Sequence, residues 1–338
     1  MSSFAVKNLR TIGSAGNKVL GIVSRELDLV EDEFRRQASS NIEVINYLGE
    51  YLRSSGGKRI RPALLILGNY SVGGDGARDN VIRLATVMEM LHTATLVHDD
   101  IIDNADTRRN RPSINARFGN QAAVLMGDWL YMAAFETALA ERSLEILDIL
   151  TTLTRRMTEG EIIQMTMVGR LDITEETYFD ILSRKTAYLF SACCEIGAIL
   201  ADAPPEQRAT LREYGMNLGI AFQLSDDLLD VTSEMENLGK AAGSDLLEGK
   251  LTLPLIRLLD EVPKVRPQVE QVVLDGTYQA LPRKRLNKML DENNILRDIK
   301  HLADEHASAA RKGLEALPDS EYRSTLERVL DFVIERSS

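Results

Sequence analysis

The chain carries helical periodicity almost from end to end and lacks the strict alternation that a half-buried β-strand needs. Between Asn80 and Asp103, Leu84, Met88, Leu91 and Thr95 recur at spacings of three and four, which lines one face of a helix. Gly127 to Leu147, Glu206 to Leu229 and Ala303 to Arg336 read the same way. Ala, Leu, Glu and Arg fill these segments and are strong helix formers, while aromatics make up only 5% of the chain. Pro62 suits a first helical turn. Arg111-Pro112-Ser113 and Ala203-Pro204-Pro205 separate helices, Gly239 to Gly249 reads as a loop, and Pro254 opens the next helix. The expected class is all-α, with about ten or more helices. A 338-residue chain that is 44% hydrophobic can bury a sizeable core. No Pro/Gly/Ser-rich linker and no internal repeat divides it, so one domain over residues 1–338 is expected.

The formal net charge of −11 argues against a nucleic-acid surface. It leaves room for an anionic substrate, because a local basic cluster can oppose the global charge. The two cysteines, Cys193 and Cys194, are adjacent, so they support neither a disulfide framework nor a zinc site. They read as small core residues in a reducing cytoplasm. No apolar run approaches the roughly 20 residues that span a bilayer. The first 25 residues carry Lys7, Arg10, Lys18 and Arg25 without an acid, and an ordinary N-terminal helix accounts for them as well as a transit peptide would.

Two acidic clusters carry the chemistry. The first is His98-Asp99-Asp100-Ile101-Ile102-Asp103. Asp99 and Asp103 are four apart, so a helix sets them on one face, one turn from each other. Two such carboxylates repel until a divalent cation joins them, and Mg²⁺ favours one or two carboxylates together with phosphate oxygens and water. On its own this cluster reads equally well as a solvated helix end. The pattern recurs, however, in Phe222-Gln223-Leu224-Ser225-Asp226-Asp227-Leu228-Leu229-Asp230, where Asp226 and Asp230 have the same spacing. Its flanks are apolar, and carboxylates there are costly without partners. The two clusters are expected to face each other across a helical bundle.

Cations accompany the acids. Gly56-Gly57-Lys58-Arg59-Ile60-Arg61-Pro62 puts three within four residues, Arg108 and Arg109 follow the first acidic cluster, Lys185-Thr186 lies in a helical segment, and Lys240 and Lys250 flank the Gly-rich loop. Arg grips phosphate with a planar fork and Lys with a point charge. Singly, each reads as a solvated surface residue; beside two metal-type clusters they look like anchors for two diphosphates.

GGKRIRP, LVHDDIIDNADTRR, SRKTAYLF, FQLSDDLLD and GKAAGSDLLEGKLTLP together resemble the signature segments of the trans-type polyprenyl diphosphate synthases, from about Asn41 to the C-terminus. The resemblance implies the isoprenoid-synthase fold, an all-α bundle around a deep central cavity, in a homodimer. It implies Mg²⁺ as cofactor, about three ions, with Asp99 and Asp103 binding two and Asp226 the third, Asp227 and Asp230 lying nearby. It implies that Arg108, Lys185, Thr186, Gln223 and Lys240 hold the allylic diphosphate, that Lys58, Arg61, His92 and Arg109 hold isopentenyl diphosphate, and that Lys250 joins a closing loop. The basic tail of some relatives is weak here, since residues 335–338 offer only Arg336.

The reaction that follows is ionisation of the allylic diphosphate, attack by the double bond of isopentenyl diphosphate on the cation, and loss of a proton to pyrophosphate. Only four histidines occur, none in a nucleophile motif, and His98 reads as a supporting residue. A terpene cyclase would replace the second Asp-rich cluster and lack the Lys58/Arg61 pocket. A regulatory subunit would lose part of one cluster.

Product length turns on Ala94 and Thr95, where short-chain relatives tend to place bulky aromatics. Both are small here, so the tail has no early floor, and Leu91 and Met88 line a tunnel below Thr95. A lower floor falls to Trp129, Met132 or Phe135. The expected product is long, about six to ten isoprene units with octaprenyl the best reading, as opposed to farnesyl or geranylgeranyl. Close helix packing at Ala94 and Thr95 is the competing explanation of their size.

Overall fold

The computed structural model describes residues 19–54, 56–109, 111–233 and 242–335. Lys240, the basic segment 1–18 and residues 336–338 lie outside the described residues. The described residues fall into two compact units, one within Met1–Leu147, Cys193–Ala209 and Leu317–Phe332, the other within Asp148–Ala192, Thr210–Ala316 and Val333–Ser338. α-Helices dominate both. In chain order they are α1 (Ser24–Gln37), α2 (Glu43–Ser54), α3 (Ile60–Ser71), α4 (Asp79–Ile102), α5 (Ile114–Phe118), α6 (Asn120–Leu139), α7 (Leu144–Met167), α8 (Glu175–Leu182), α9 (Tyr188–Leu200), α10 (Pro205–Thr232), α11 (Ser244–Leu247), α12 (Leu253–Glu261), α13 (Arg266–Asp275), α14 (Arg283–Glu292), α15 (Ile295–Leu314) and α16 (Glu321–Glu335). None is long and apolar enough to cross a membrane.

In the first unit, α3 is the central helix. Ala63 to Leu67 are five consecutive residues at 0% exposure, the signature of a helix apolar all round and enclosed by neighbours. Cys194 and Gly197 of α9 lie against it. A Cβ on Gly197 would collide with the Leu65 carbonyl oxygen, and one on Gly68 would come within 3.2 Å of the Cys194 carbonyl oxygen. Asn69 donates from its side chain to the Gly197 carbonyl at 3.0 Å. Tyr322 of α16 stacks on Tyr70 of α3, with ring centroids 4.3 Å apart. Both cysteines are free and buried, as their adjacency implies.

The core of the second unit gathers Leu224 and Leu228 of α10, Leu255 and Leu258 of α12, and Ile295 and Ile299 of α15. The starts of α5 and α8 are each capped by a side chain. Thr174 accepts from the Thr177 amide at 3.2 Å ahead of α8, whose first turn holds Glu175 and Glu176.

Several sequence expectations change. The expected loop Gly239–Gly249 carries α11 over Ser244–Leu247. The Gly127–Leu147 run ends at Leu139, and α7 begins only at Leu144. Arg142 turns the chain there with φ 54, a turn marked by neither Gly nor Pro. The Ala303–Arg336 run is two helices, because Pro318 cannot continue the first. A two-stranded hairpin, β1 (Thr107–Arg108) and β2 (Arg111–Pro112), follows α4 in antiparallel register, Arg108 opposite Arg111. It is too short to show a period of two.

Because Gly197 admits a backbone oxygen where a methyl would sit, Gly197→Ala is expected to destabilise the protein by about 1–3 kcal/mol. Denaturant unfolding of the variant against the parent measures this.

Candidate active site

The first Asp-rich cluster closes α4. Asp99 and Asp103 are half-buried, and the Asp103 amide donates to the Asp99 carbonyl oxygen in the last helical turn. Asp100, between them, is 5% exposed and turned inward. Arg108 reaches it from β1, with Nε donating to Oδ1 at 2.7 Å and a second nitrogen 2.6 Å from the same oxygen. An inward carboxylate without such a partner would be strongly destabilising. Arg108 is therefore held by the cluster it follows.

The hairpin that carries Arg108 and Arg109 is fastened from several sides. Tyr51 donates its hydroxyl to the Pro112 carbonyl at 2.7 Å, and Ser113 donates to the Ala105 carbonyl at 2.6 Å. Arg109 has φ 53, and its guanidinium lies so close to Gly57 that a Cβ there would come within 2.9 Å of it. This brings Arg109 beside the Gly56–Arg61 segment.

The three cations of that segment separate in role. Arg59, with φ 49 and a side chain 13% exposed, pairs with Glu31 and Glu89. It is a structural cation. Arg61 lies 3.0 Å from Nε2 of His92. Burial and the surrounding Arg61, Arg109, Arg108 and Arg59 push the His92 pKa well below its ordinary value, so the ring is neutral and accepts from Arg61. His92 thus orients Arg61. The Lys58 ammonium sits 6.0 Å from the centroid of the Phe332 ring.

The second cluster repeats the division of labour within its own unit. Asp226 is half-buried, and Asp227 is 2% exposed. Tyr178 of α8 donates to Asp227 Oδ2 at 2.6 Å and Gln223 donates to Oδ1 at 2.8 Å. Burial pushes the Asp227 carboxyl up to about 8, against the pull of these two donors. Thr186 in turn donates to the Gln223 side-chain oxygen at 3.0 Å. Asp230 has further work, because its Oδ1 accepts from the Gly243 and Ser244 amides at 3.1 and 3.2 Å. Lys185 and Thr186 lie in a π-helical turn, Ser183–Ala187, between α8 and α9. Lys185 pairs with Glu161 and Gln164 of α7. Lys250 pairs with Glu248 at 2.8 Å.

These residues fit a divalent cation. Two half-buried carboxylates one turn apart at a helix C-terminus add to the negative end of the helix dipole. Mg²⁺ takes one or two carboxylates and completes its shell with water and phosphate oxygens, a demand that such a pair meets.

The chain-length residues differ among themselves. Ala94 is at 0% exposure, one turn before His98, and a Cβ on Gly127 of α6 would run into the His98 ring. Ala94 therefore shares the face packed on α6. Thr95 is half-buried, with Leu91 and Met88 fully buried beneath it. Met132 is 63% exposed and floors nothing within this chain, whereas Trp129 and Phe135 are half-buried.

Residues 42–287 match the sequence model of the polyprenyl synthetase family. The chain belongs to that family. It is 37% identical over 322 residues to the octaprenyl diphosphate synthase of Escherichia coli (strain K12), covering 94% of this chain and 98% of the relative. It is 34% identical over 320 residues to a short chain isoprenyl diphosphate synthase of Methanothermobacter thermautotrophicus, with 93% and 98% covered. Its fold superposes with a TM-score of 0.89, at 33% identity, on the polyprenyl synthase of Caulobacter crescentus CB15 complexed with calcium and isoprenyl diphosphate, covering 97% of this chain and 100% of that one. Overall identity barely separates the octaprenyl relative from the short-chain one.

The sequence reading missed the inward turn of Asp100 and Asp227, although each is followed by an apolar residue, Ile101 and Leu228. It also missed Tyr178, which nothing in its local sequence marks. The split among the three cations gives a test. Arg59→Ala leaves Glu89 buried and unpaired and should cost about 3 kcal/mol or more of stability, while Lys58→Ala should change stability by less than about 1 kcal/mol. Thermal unfolding of both variants decides it.

Proposed function

We propose that this family member is a prenyltransferase that joins isopentenyl diphosphate to an allylic diphosphate and extends it to a long all-trans polyprenyl diphosphate, about C30–C50, octaprenyl being the best reading. The observation that carries the reaction is the repeated cluster, each copy with its middle carboxylate locked inward and the first half-buried, accompanied by paired cations. Asp99 and Asp103 from the first cluster, and Asp226 with Asp230 from the second, are the Mg²⁺ ligands. Of these, Asp230 has one oxygen already engaged by backbone amides, so Asp226 is the stronger ligand of its pair.

When bound, Mg²⁺ stabilises negative charge on the leaving diphosphate. Lys185, Thr186 and Gln223, with Arg108 and Lys240, hold the allylic diphosphate. Lys58, Arg61 and Arg109 hold isopentenyl diphosphate, Arg61 being oriented by His92, and Lys250 serves a closing loop. No protein nucleophile is needed. The chain's task is to bind two polyanions, orient them and keep water from the allylic cation. The whole chain acts as one catalytic domain. The exposed apolar residues of α6, Val124, Leu125, Met132 and Leu139 at 41–68% exposure, form the face that a second copy covers in a homodimer. Two free thiols fit a cytoplasmic setting.

Two outcomes test this. Asp99→Ala and Asp226→Ala should each lower turnover by on the order of 10²-fold or more with helical circular dichroism unchanged. Near-normal rates in both variants would remove the metal assignment. Product length is set by the path below Thr95, past Leu91 and Met88. Thr95→Phe should shorten the product to a few isoprene units while turnover persists, read by mass spectrometry of products made with excess isopentenyl diphosphate.

A further inference from the structure

The π-helical turn Ser183–Ala187 is an energetically unfavoured piece of backbone, and such turns inside helices occur mostly at functional sites. Something must hold it. Beneath it lies Gly160 of α7, which is buried. A Cβ on Gly160 would stand 2.7 Å from Arg184 Cβ, 3.1 Å from Lys185 Cγ and 3.4 Å from the Lys185 amide nitrogen. The nearest of these atoms is attached directly to the backbone and cannot swing away as a side-chain tip would. The turn can lie where it does only because residue 160 has no side chain.

The other side of the turn is held through a file of side chains. Thr186 donates to Gln223, Gln223 donates to Asp227, and Asp227 also accepts from Tyr178. Gln223 therefore spends its oxygen on Thr186 and its nitrogen on Asp227. Tyr178 ends the file, buried at 6% exposure against Phe179, with ring centroids 5.2 Å apart. Without its hydroxyl, Oδ2 of a buried carboxylate loses a donor, and Asp227 is free to draw Gln223 away from Thr186.

We infer that Gly160 and Tyr178 are positioning residues for the allylic diphosphate, setting Lys185 and Thr186 in register without touching substrate. Gly160 does so by admitting the π turn against α7, and Tyr178 by fixing Asp227 and, through Gln223, Thr186. This rests on the proposed role of Lys185 and Thr186. It goes beyond that role by assigning two residues outside every motif read from the sequence.

The test uses full-length Gly160→Ala, Tyr178→Phe and Lys185→Ala proteins, with KM measured for an allylic diphosphate and for isopentenyl diphosphate, together with the thermal midpoint. Loss of one well-placed hydrogen bond to a charged group corresponds to about tenfold in binding. Tyr178→Phe and Gly160→Ala should each raise the allylic KM by roughly fivefold or more and leave the isopentenyl diphosphate KM within about twofold. A general loosening of the fold would move both constants together. Tyr178→Phe keeps the ring and guards against a Gly160→Ala protein that does not fold. If Lys185→Ala raises the allylic KM while neither Tyr178→Phe nor Gly160→Ala does, the positioning role is overturned and the role of Lys185 stands. If Lys185→Ala leaves the allylic KM unchanged, both ideas fall. Equal changes in both substrates also overturn the inference.

Discussion

A carboxylate enclosed by apolar side chains must find donors or give up its charge. Asp100 and Asp227 each occupy the middle of an Asp-rich cluster and face inward, where Arg108 and the Tyr178–Gln223 pair respectively supply those donors. In an α-helix, residue i+1 points about 100° away from residue i. Fixing the middle carboxylate toward the core therefore fixes its neighbours on adjoining faces. The inward acid is what aims Asp99 and Asp226. It also holds a polar side chain, Arg108 beside the first cluster and Gln223 within the second, in a hydrogen bond to the inward acid.

Much of this was legible in the sequence, for identifiable reasons. The all-α class followed from periodicity alone, because apolar residues at i, i+3 and i+4 leave no other structure able to bury them. The two clusters and the cation segments stood out because identical spacing recurred in an acidic chain. What stayed hidden depended on contacts between distant residues. That Arg59 serves the fold while Arg61 meets His92 is decided by Glu31 and Glu89, 28 and 30 residues away from Arg59 in sequence. Gly160 reads as an unremarkable helix interior until Arg184 is seen beside it. The break after Leu139 has no proline or glycine to announce it, and Arg142 adopts a left-handed conformation that its identity does not suggest.

Ala94 and Thr95 are neighbours in sequence and both small, so the sequence treats them as one feature. On the helix they lie on different faces. Ala94 is small where α4 meets α6 around His98 and Gly127, and its size is a packing requirement. Thr95 is only half-buried and stands over Leu91 and Met88.

The pairing of Lys185 with Glu161 and Gln164 has a consequence for discrimination among anions. A lysine already neutralised offers little to a passing chloride or acetate, because a single charge arriving from water merely exchanges one carboxylate for a weaker rival. In the role proposed for Lys185 and Thr186, a diphosphate brings several charged oxygens at once and engages both together, so only a multiply charged ligand outcompetes the resident acid. Selectivity for polyanions over the simple salts that surround the protein is thereby written into the resting state of one side chain.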